Sequence, residues 1–104
     1  MTYISGRITK NKHWQQDFSD AEKYLKKKYP HDVIFNPLRI DKLVQTTFKN
    51  PQYQDYILFD IKALIMCNRI YMLRGWWRSR GARLEYHIAK MLGLEIIFQK
   101  RGDK

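Results

Sequence analysis

Two acidic residues stand where the packing pattern of this sequence calls for apolar side chains. Glu85 lies in the run 81–92, on the helical stripe formed by Ala82, Ile88, Ala89 and Leu92. Asp60 repeats the pattern in a second apolar run, 56–66. An unpaired carboxylate that faces a core costs free energy, so both positions indicate a chemical use. Two carboxylates in one pocket suit the nucleophile and acid roles at a glycosidic carbon.

Each acid also has a structural interpretation. The alternative for Glu85 is an ion pair with Arg83 or Arg74, which the residues favour as much as a chemical role. The alternative for Asp60 is a carboxylate that accepts backbone hydrogen bonds from the first loop of the chain. The contacts of the two carboxylates decide between these interpretations.

An anion site is predicted where the run 81–92 begins. Ser79 precedes this run, and the free backbone N–H groups and dipole of a helix attract anions to its first turn. Ser79 can donate its hydroxyl to a phosphate, although its commoner role there is to cap the helix. Arginine, whose planar fork suits phosphate better than lysine does, recurs close to this site or after the first strand, as Arg7, Arg74, Arg78, Arg80 and Arg83.

The chain is strongly basic, with 20 Lys and Arg against 10 Asp and Glu in 104 residues, a net charge of +10. This charge favours anionic partners, such as a nucleotide, nucleic acid or an acidic protein surface. A lysine-rich helix face at 23–28 is equally well explained as a solvated surface. The apolar runs are too short to span a bilayer, and residues 1–12 lack the apolar stretch of a leader peptide. We therefore expect a cytoplasmic protein that does not enter membranes.

Aromatic residues and metal ligands add further expectations. Trp76 and Trp77 lie in a probable loop, where they suit either stacking on a base or a contact between subunits. Metal-ligand spacing is missing among His13, His31, His87 and Cys67. The sequence also lacks a P-loop, a dinucleotide-binding glycine pattern and a nucleophile elbow. We therefore predict neither a metal nor a cofactor.

Strands and helices alternate along the chain. Strands are predicted at 2–5, 32–35, 69–73 and 94–98, and helices at 14–28, 56–66 and 81–92. The connection 38–54 is predicted to be irregular, with a short helix near 41–48. This alternation predicts a single domain of residues 1–104, a flavodoxin- or Rossmann-like three-layer α/β sandwich whose parallel sheet has four or five strands.

Ligands of such folds bind beyond the C-terminal ends of the strands. This rule brings the segments 5–7, 36–37 and 75–81 to one edge of the sheet. The substrate contacts predicted at that edge are Tyr3, Ser5, Gly6, Arg7, Asn36, Gly75, Trp76, Ser79 and Gly81.

Short motifs in a specific order extend over almost the whole chain. They are Tyr3-Ile4-Ser5-Gly6 with Ile8-Thr9, Asn36-Pro37, Asp60, residues 67–73, Gly75-Trp76, Ser79-x-Gly81-Ala82-x-x-Glu85, Ala89 and residues 93–97. With this order and spacing the chain resembles the nucleoside 2-deoxyribosyltransferase superfamily. It is most similar to a branch of small phage and bacterial proteins grouped under a domain of unknown function.

The resemblance implies that Glu85 is a nucleophile that attacks C1′ of a deoxyribose and releases the base. Asp60 resembles the aspartate that orients the sugar and helps proton transfer, and Gly6 the glycine that lets a ligand approach the backbone. Ser79 and Gly81 resemble the serine–glycine element of deoxynucleoside-monophosphate N-glycosidases, in which the serine meets the 5′-phosphate. The transferases usually carry an aspartate at the position of Ser79, so the resemblance favours a nucleotide substrate, and hydrolysis over transfer.

Departures from the family pattern keep a second function open. Arg7 and Arg74 stand where the relatives typically have proline, which fits a more anionic ligand. The first hypothesis is cleavage of, or transfer across, the N-glycosidic bond of a deoxynucleoside 5′-monophosphate. The alternative is a non-catalytic module that binds a nucleotide or nucleic acid in the same basic pocket. Because the relatives commonly complete their pockets across a dimer, the resemblance also implies a homo-oligomer.

Overall fold

Short apolar segments form a parallel sheet, and amphipathic segments form the helices that connect its strands. The computed structural model describes residues 1–102 of the chain. The elements in chain order are β1 (Thr2–Ser5), α1 (Trp14–Lys28), β2 (Ile34–Phe35), α2 (Pro37–Thr47), α3 (Tyr53–Ile65), β3 (Arg69–Met72), a single 3₁₀ turn (Trp76–Arg78), α4 (Arg80–Leu92) and β4 (Glu95–Phe98).

The four strands are all parallel and lie in the order β2-β1-β3-β4. Strand β1 is central: Tyr3 pairs with Phe35 of β2 and with Ile70 of β3. Because the chain moves outward from β1 to β2 and then returns past β1 to β3, the connections after β1 and β3 diverge at their C-terminal ends. Such a divergence leaves a crevice in which α/β folds bind ligands.

Helices cover both faces of the sheet, which confirms the predicted three-layer α/β sandwich. Tyr3 faces a core shared with α2, α3 and α4, whereas Ile4 faces a core shared with α1. This alternation follows from the two-residue period of a strand. It also places Ser5 on the same face as Tyr3, towards α4.

Two helices differ from the sequence-based expectation. The connection predicted to be mostly irregular contains an 11-residue helix, α2, because Asn36 caps it and Pro37 occupies its first turn. Helix α3 begins at Tyr53, three residues earlier than predicted, since Gln52 and Asp55 form a capping box.

The nearly all-round apolar character of residues 56–66 predicts a deeply buried helix, and this prediction is wrong. Leu58 is 49% exposed, Ile65 56% and Met66 60%. Three helices share one face of a narrow four-stranded sheet, so α3 is covered on one side only. Strand β4 is likewise partly exposed, because it is an edge strand: Glu95 is exposed and Phe98 is 45% exposed.

The second predicted strand is also shorter than expected, at two residues instead of four. Asp32 does not join the sheet. Its carboxylate instead accepts a hydrogen bond from Thr2 and pairs with Arg69 and the N-terminal ammonium. Within residues 1–102, no helix has the length and apolar character needed to cross a membrane.

Candidate functional site

A cavity of about 680 Å³ opens at the divergence between β1 and β3. The loop after β1, helix α3, the 3₁₀ turn and the first turns of α4 form its walls. Its volume lies within the range of small-molecule sites. Seven of the predicted site residues line it: Tyr3, Gly6, Arg7, Asp60, Ser79, Gly81 and Glu85.

Glu85 is held on the cavity wall by two hydroxyl groups of β1. The Tyr3 hydroxyl donates to Oε2 and the Ser5 hydroxyl to Oε1, both at 2.6 Å. Glu85 is only 9% exposed. Burial raises the pKa of Glu85 to about 7, although both hydrogen bonds act to lower it.

The ion-pair interpretation of Glu85 is wrong. Among the ion pairs of residues 1–102, none includes Glu85, and both Arg83 and Arg74 are exposed at the surface. Within the described part of the chain, the carboxylate therefore has neutral donors as partners and no cation paired with its charge.

Asp60 lies in the same cavity, on α3. Burial, followed by the charges of Glu85 and Asp41, raises the pKa of Asp60 to about 8. Its buried Oδ1 has no hydrogen-bond partner within the described chain. Hydrogen bonds from the backbone of the first loop to Oδ1 are therefore excluded within residues 1–102, and this oxygen remains available to a ligand.

A third acid, Asp41 on α2, also lines the cavity. Burial raises the pKa of Asp41, and no ion pair within residues 1–102 includes it. Sequence analysis missed this residue because its segment was predicted to be mostly irregular. The sequence does contain a signal for this helix: Pro37 favours a helix start, and Asp41 follows it by four residues.

Basic residues surround the mouth of the cavity. Arg7 and Lys10 come from the loop after β1, while Arg78 and Arg80 flank the start of α4. No carboxylate of residues 1–102 forms an ion pair with any of these four residues. The site is therefore acidic inside and basic at its rim.

The start of α4 has the features of an anion site. Ser79 caps the helix, and its hydroxyl accepts a hydrogen bond from the backbone N–H of Ala82 at 3.1 Å. The predicted capping role is thus confirmed, and the hydroxyl proton stays available for donation. The hydroxyl of Tyr53 lies beside this turn, 3.8 Å from where a Cβ at Gly81 would stand.

Gly6 has a structural reason to be glycine. A Cβ at this position would lie 2.9 Å from the Cβ of Leu73, closer than such atoms approach. Packing between the two diverging connections therefore excludes a side chain here. Ser5 lies one layer below the cavity surface, and it acts on the site through Glu85.

Besides Ser5, three further predicted substrate contacts do not line the cavity: Asn36, Gly75 and Trp76. Asn36 is buried at the start of α2, where its side chain caps the helix and donates to Glu22. Gly75 has a φ of 83°, which glycine adopts without strain, and begins the 3₁₀ turn. The Trp76 ring packs on the rings of Tyr86 and Phe98 instead of facing a ligand.

The cavity also contains residues that sequence analysis did not single out. The aromatic side chains of Tyr53 and Tyr56 come from α3, and the apolar side chains of Ile57 and Ile61 follow on the same helix. These residues give the cavity apolar and aromatic walls opposite Glu85. Within residues 1–102, no three His, Cys, Asp or Glu side chains are arranged to hold a metal ion.

Comparison with curated proteins and with solved structures found no match. Residues 1–98 match a protein family described as "Domain of unknown function (DUF4406)". This description names no activity, so the resemblance to nucleoside 2-deoxyribosyltransferases stays a prediction. The match extends over nearly the entire sequence, and the chain therefore belongs to the DUF4406 family.

Proposed function

We propose that this protein hydrolyses the N-glycosidic bond of a deoxynucleoside 5′-monophosphate, with Glu85 as nucleophile and Asp60 as proton donor. One observation carries the proposal: two acids with raised pKa values share one cavity, and neither forms an ion pair with a cation of residues 1–102. Buried acids kept apart from cations are unfavourable for folding and are typical of sites that use them.

Glu85 has the surroundings of a nucleophile. With a pKa of about 7, a substantial fraction of its carboxyl is ionised at neutral pH. The hydroxyls of Tyr3 and Ser5 fix its orientation without cancelling its charge. In the proposed step a Glu85 oxygen bonds to C1′, the bond from C1′ to the base nitrogen breaks, and the base takes the electron pair.

Asp60 has the surroundings of an acid. With a pKa of about 8 it is mostly protonated at pH 7, and its proton passes to the departing base. The ionised Asp60 then accepts a proton from water. That water attacks the sugar–Glu85 ester, which releases the free sugar phosphate and restores both carboxyls.

The division of charge in the cavity fits a nucleotide. The rim next to α4 presents Arg78, Arg80 and the hydroxyl of Ser79, which suit a phosphate. The interior presents carboxyl oxygens, which accept hydrogen bonds from sugar hydroxyls, beside the tyrosine rings of α3. A nucleotide that enters with its phosphate at the rim therefore places its sugar near Glu85.

A non-catalytic binding module is the second candidate, and the unpaired basic rim is the observation that favours it. It predicts binding of the same nucleotides without release of a base. A homo-oligomer and a cytoplasmic location also stay predictions. The exposed Met91 and Leu92 of α4 are available to a subunit contact, which light scattering of the purified protein tests.

The test of the proposed function is base release from the four deoxynucleoside 5′-monophosphates, followed by mass spectrometry. We expect the wild type to release at least one base and Glu85→Gln to lower that rate by about 10³-fold or more. The matched control is Glu22→Gln, the same change at a buried glutamate outside the cavity. Binding without release by the wild type would favour the second candidate. Equal rates in wild type and Glu85→Gln would exclude Glu85 as nucleophile.

A further inference from the structure

The basic rim of the cavity comes from two separate loops. Arg7 and Lys10 lie on the loop between β1 and α1, and Ile8 of this loop packs in the core on the α1 face of the sheet. Arg78 and Arg80 lie at the start of α4, which packs on the opposite face. The two pairs therefore flank the crevice from different sides.

The loop that carries Arg7 and Lys10 is preorganised by its own hydrogen bonds. The Asn11 side chain donates to the backbone oxygen of Arg7 at 2.9 Å, and the Nε of Arg7 donates to the backbone oxygen of Thr9 at 3.2 Å. The backbone N–H of Asn11 also bonds to Ile8 at 3.2 Å. Since Nε is used within the loop, the terminal guanidinium nitrogens of Arg7 remain available to a ligand.

Lys10 adds a second, independent sign of a functional loop. Its φ is 62°, and it is the one non-glycine residue of the described chain in the left-handed region. A lysine in that region costs free energy, and such positions cluster at ligand-binding sites. The loop keeps this conformation and presents its cation at the cavity.

A single phosphate leaves this pair of cations unused. In the proposed function one phosphate takes the α4 side of the rim, with Arg78 and Arg80. Within residues 1–102, no acid of the cavity forms an ion pair with Arg7 or Lys10, so both cations face the cavity mouth without a carboxylate partner. The charge balance of the site therefore calls for a second anion on the β1 side.

We propose that the cavity takes a nucleotide with two separate phosphates, one on the α4 side and one at Arg7 and Lys10. This inference rests on the proposed function for the position of the first phosphate. Two phosphates on opposite sides of a sugar occur in a nucleoside 3′,5′-bisphosphate and at the 5′-terminal nucleotide of a single strand. A triphosphate differs, because its charges are contiguous and extend from the 5′ side alone.

Calorimetric titration of the full chain tests this inference, with four ligands for each of the four bases. The ligands are a deoxynucleoside 5′-monophosphate, its 3′,5′-bisphosphate, its 5′-triphosphate and a 5′-phosphorylated tetranucleotide. We expect the bisphosphate to bind about tenfold or more tightly than the monophosphate, because a second set of charge-assisted hydrogen bonds forms. We expect the triphosphate to gain about threefold or less, since its added charge lies on one side.

A pair of double variants assigns the gain to the loop. Arg7→Gln with Lys10→Gln should bring the ratio of bisphosphate to monophosphate affinity close to one. The control, Lys23→Gln with Lys27→Gln, removes the same charge from the exposed side of α1 and should keep the wild-type ratio. Circular dichroism verifies that each variant is folded.

Each outcome has a defined meaning. Equal affinity for monophosphate and bisphosphate, or a gain that persists in Arg7→Gln with Lys10→Gln, overturns the inference. With the gain present, a still tighter tetranucleotide supports a strand end as the source of the second phosphate, and a weaker one supports a free bisphosphate. If the gain depends on the loop but no ligand loses its base, the two-phosphate site stands and the hydrolase proposal fails.

Discussion

Two buried glutamates of this protein are almost equally hidden from solvent but have opposite surroundings. Glu22 of α1 is 7% exposed and Glu85 of α4 is 9% exposed. Arg39 donates to both oxygens of Glu22, at 2.5 and 2.6 Å, and Lys26 pairs with it at 2.8 Å. The partners of Glu85 among residues 1–102 are instead two neutral hydroxyls, those of Tyr3 and Ser5.

The pKa values of the two groups follow these partners and not their burial. The Arg39 guanidinium holds the pKa of Glu22 at about 2, whereas burial without a cation raises that of Glu85 to about 7. Glu22 is therefore ionised at neutral pH, and its ion pair with Arg39 joins α1 to α2. Glu85 keeps an unneutralised carboxyl beside open space. The lack of a cation beside Glu85 among residues 1–102, more than the burial of an acid, therefore marks the candidate site.

After the loss expected for Glu85→Gln, the next largest effect concerns Asp60, the second acid that shares the cavity with Glu85. Activity needs Glu85 ionised and Asp60 protonated, so base release should rise with pH towards about 7 and fall above about 8. Asp60→Asn should lower the rate about 100-fold and remove the fall at high pH. A pH–rate profile measures both, and an Asp60→Asn rate within threefold of wild type would contradict the assignment.

The second prediction breaks the ion pair of Glu22. Arg39→Met leaves a buried carboxylate with one cation, so the free energy of unfolding at pH 7 should fall by about 1–3 kcal/mol. The stability that depends on this pair is present above pH 4.5 and is lost as pH falls towards 2. Urea denaturation at pH 7 and pH 3 should therefore show a smaller difference between variant and wild type at pH 3.

The matched control for this change is Arg78→Met, which alters an exposed arginine without an ion-pair partner in the described chain. Its unfolding free energy should stay within about 0.5 kcal/mol of wild type. A loss as large as that of Arg39→Met would mean that the basic rim contributes to folding, and the comparison would then fail.

The third prediction concerns the opposite pH dependence of Glu85. Its pKa is higher in the folded chain than the ordinary 4.5, so the folded state binds more protons between pH 4.5 and about 7. Its contribution to stability is therefore lost as pH rises through that window. Glu85→Gln should be more stable than wild type by about 1–2 kcal/mol at pH 8 and not at pH 4. A variant less stable at pH 8 would contradict the uncompensated burial.

The smallest expected effect comes from a single hydroxyl. Tyr3→Phe removes one donor to Glu85, which raises the Glu85 pKa further and moves the acid limb of the pH–rate profile to higher pH. Base release at pH 6 should fall about threefold more than at pH 8. Tyr24→Phe, on the α1 face, serves as control and should leave the limb in place.

The sequence was sufficient for the sheet and for the two principal acids. Glu85 and Asp60 interrupt apolar stripes, and a stripe reports which side of a helix faces the interior. It does not report whether the interior is filled. The alternatives of an ion pair for Glu85 and of backbone partners for Asp60 were decided only by the three-dimensional contacts.

Residues assigned by their position at strand ends were less reliable. Asn36 follows β2 as predicted, but its side chain caps α2 and donates to Glu22. Asparagine side chains often form such hydrogen bonds with the nearby backbone. Trp76 follows β3 as predicted, but its ring packs on the ring of Phe98 in edge strand β4 and so covers apolar surface there. Asp41 was missed because the extent of α2 depends on a cap and a proline instead of on apolar periodicity.

The hydrogen bond between Tyr3 and Glu85 joins residues 82 positions apart in the chain. The cavity wall therefore exists only while β1 and α4 are packed together in the folded domain. A molecule bound there has no affinity for the unfolded chain. Such a molecule raises the melting temperature of the whole domain, with about 2.7 kcal/mol of added stability at a concentration 100 times its dissociation constant. A thermal-shift screen can thus find the natural ligand without any assumption about its chemistry.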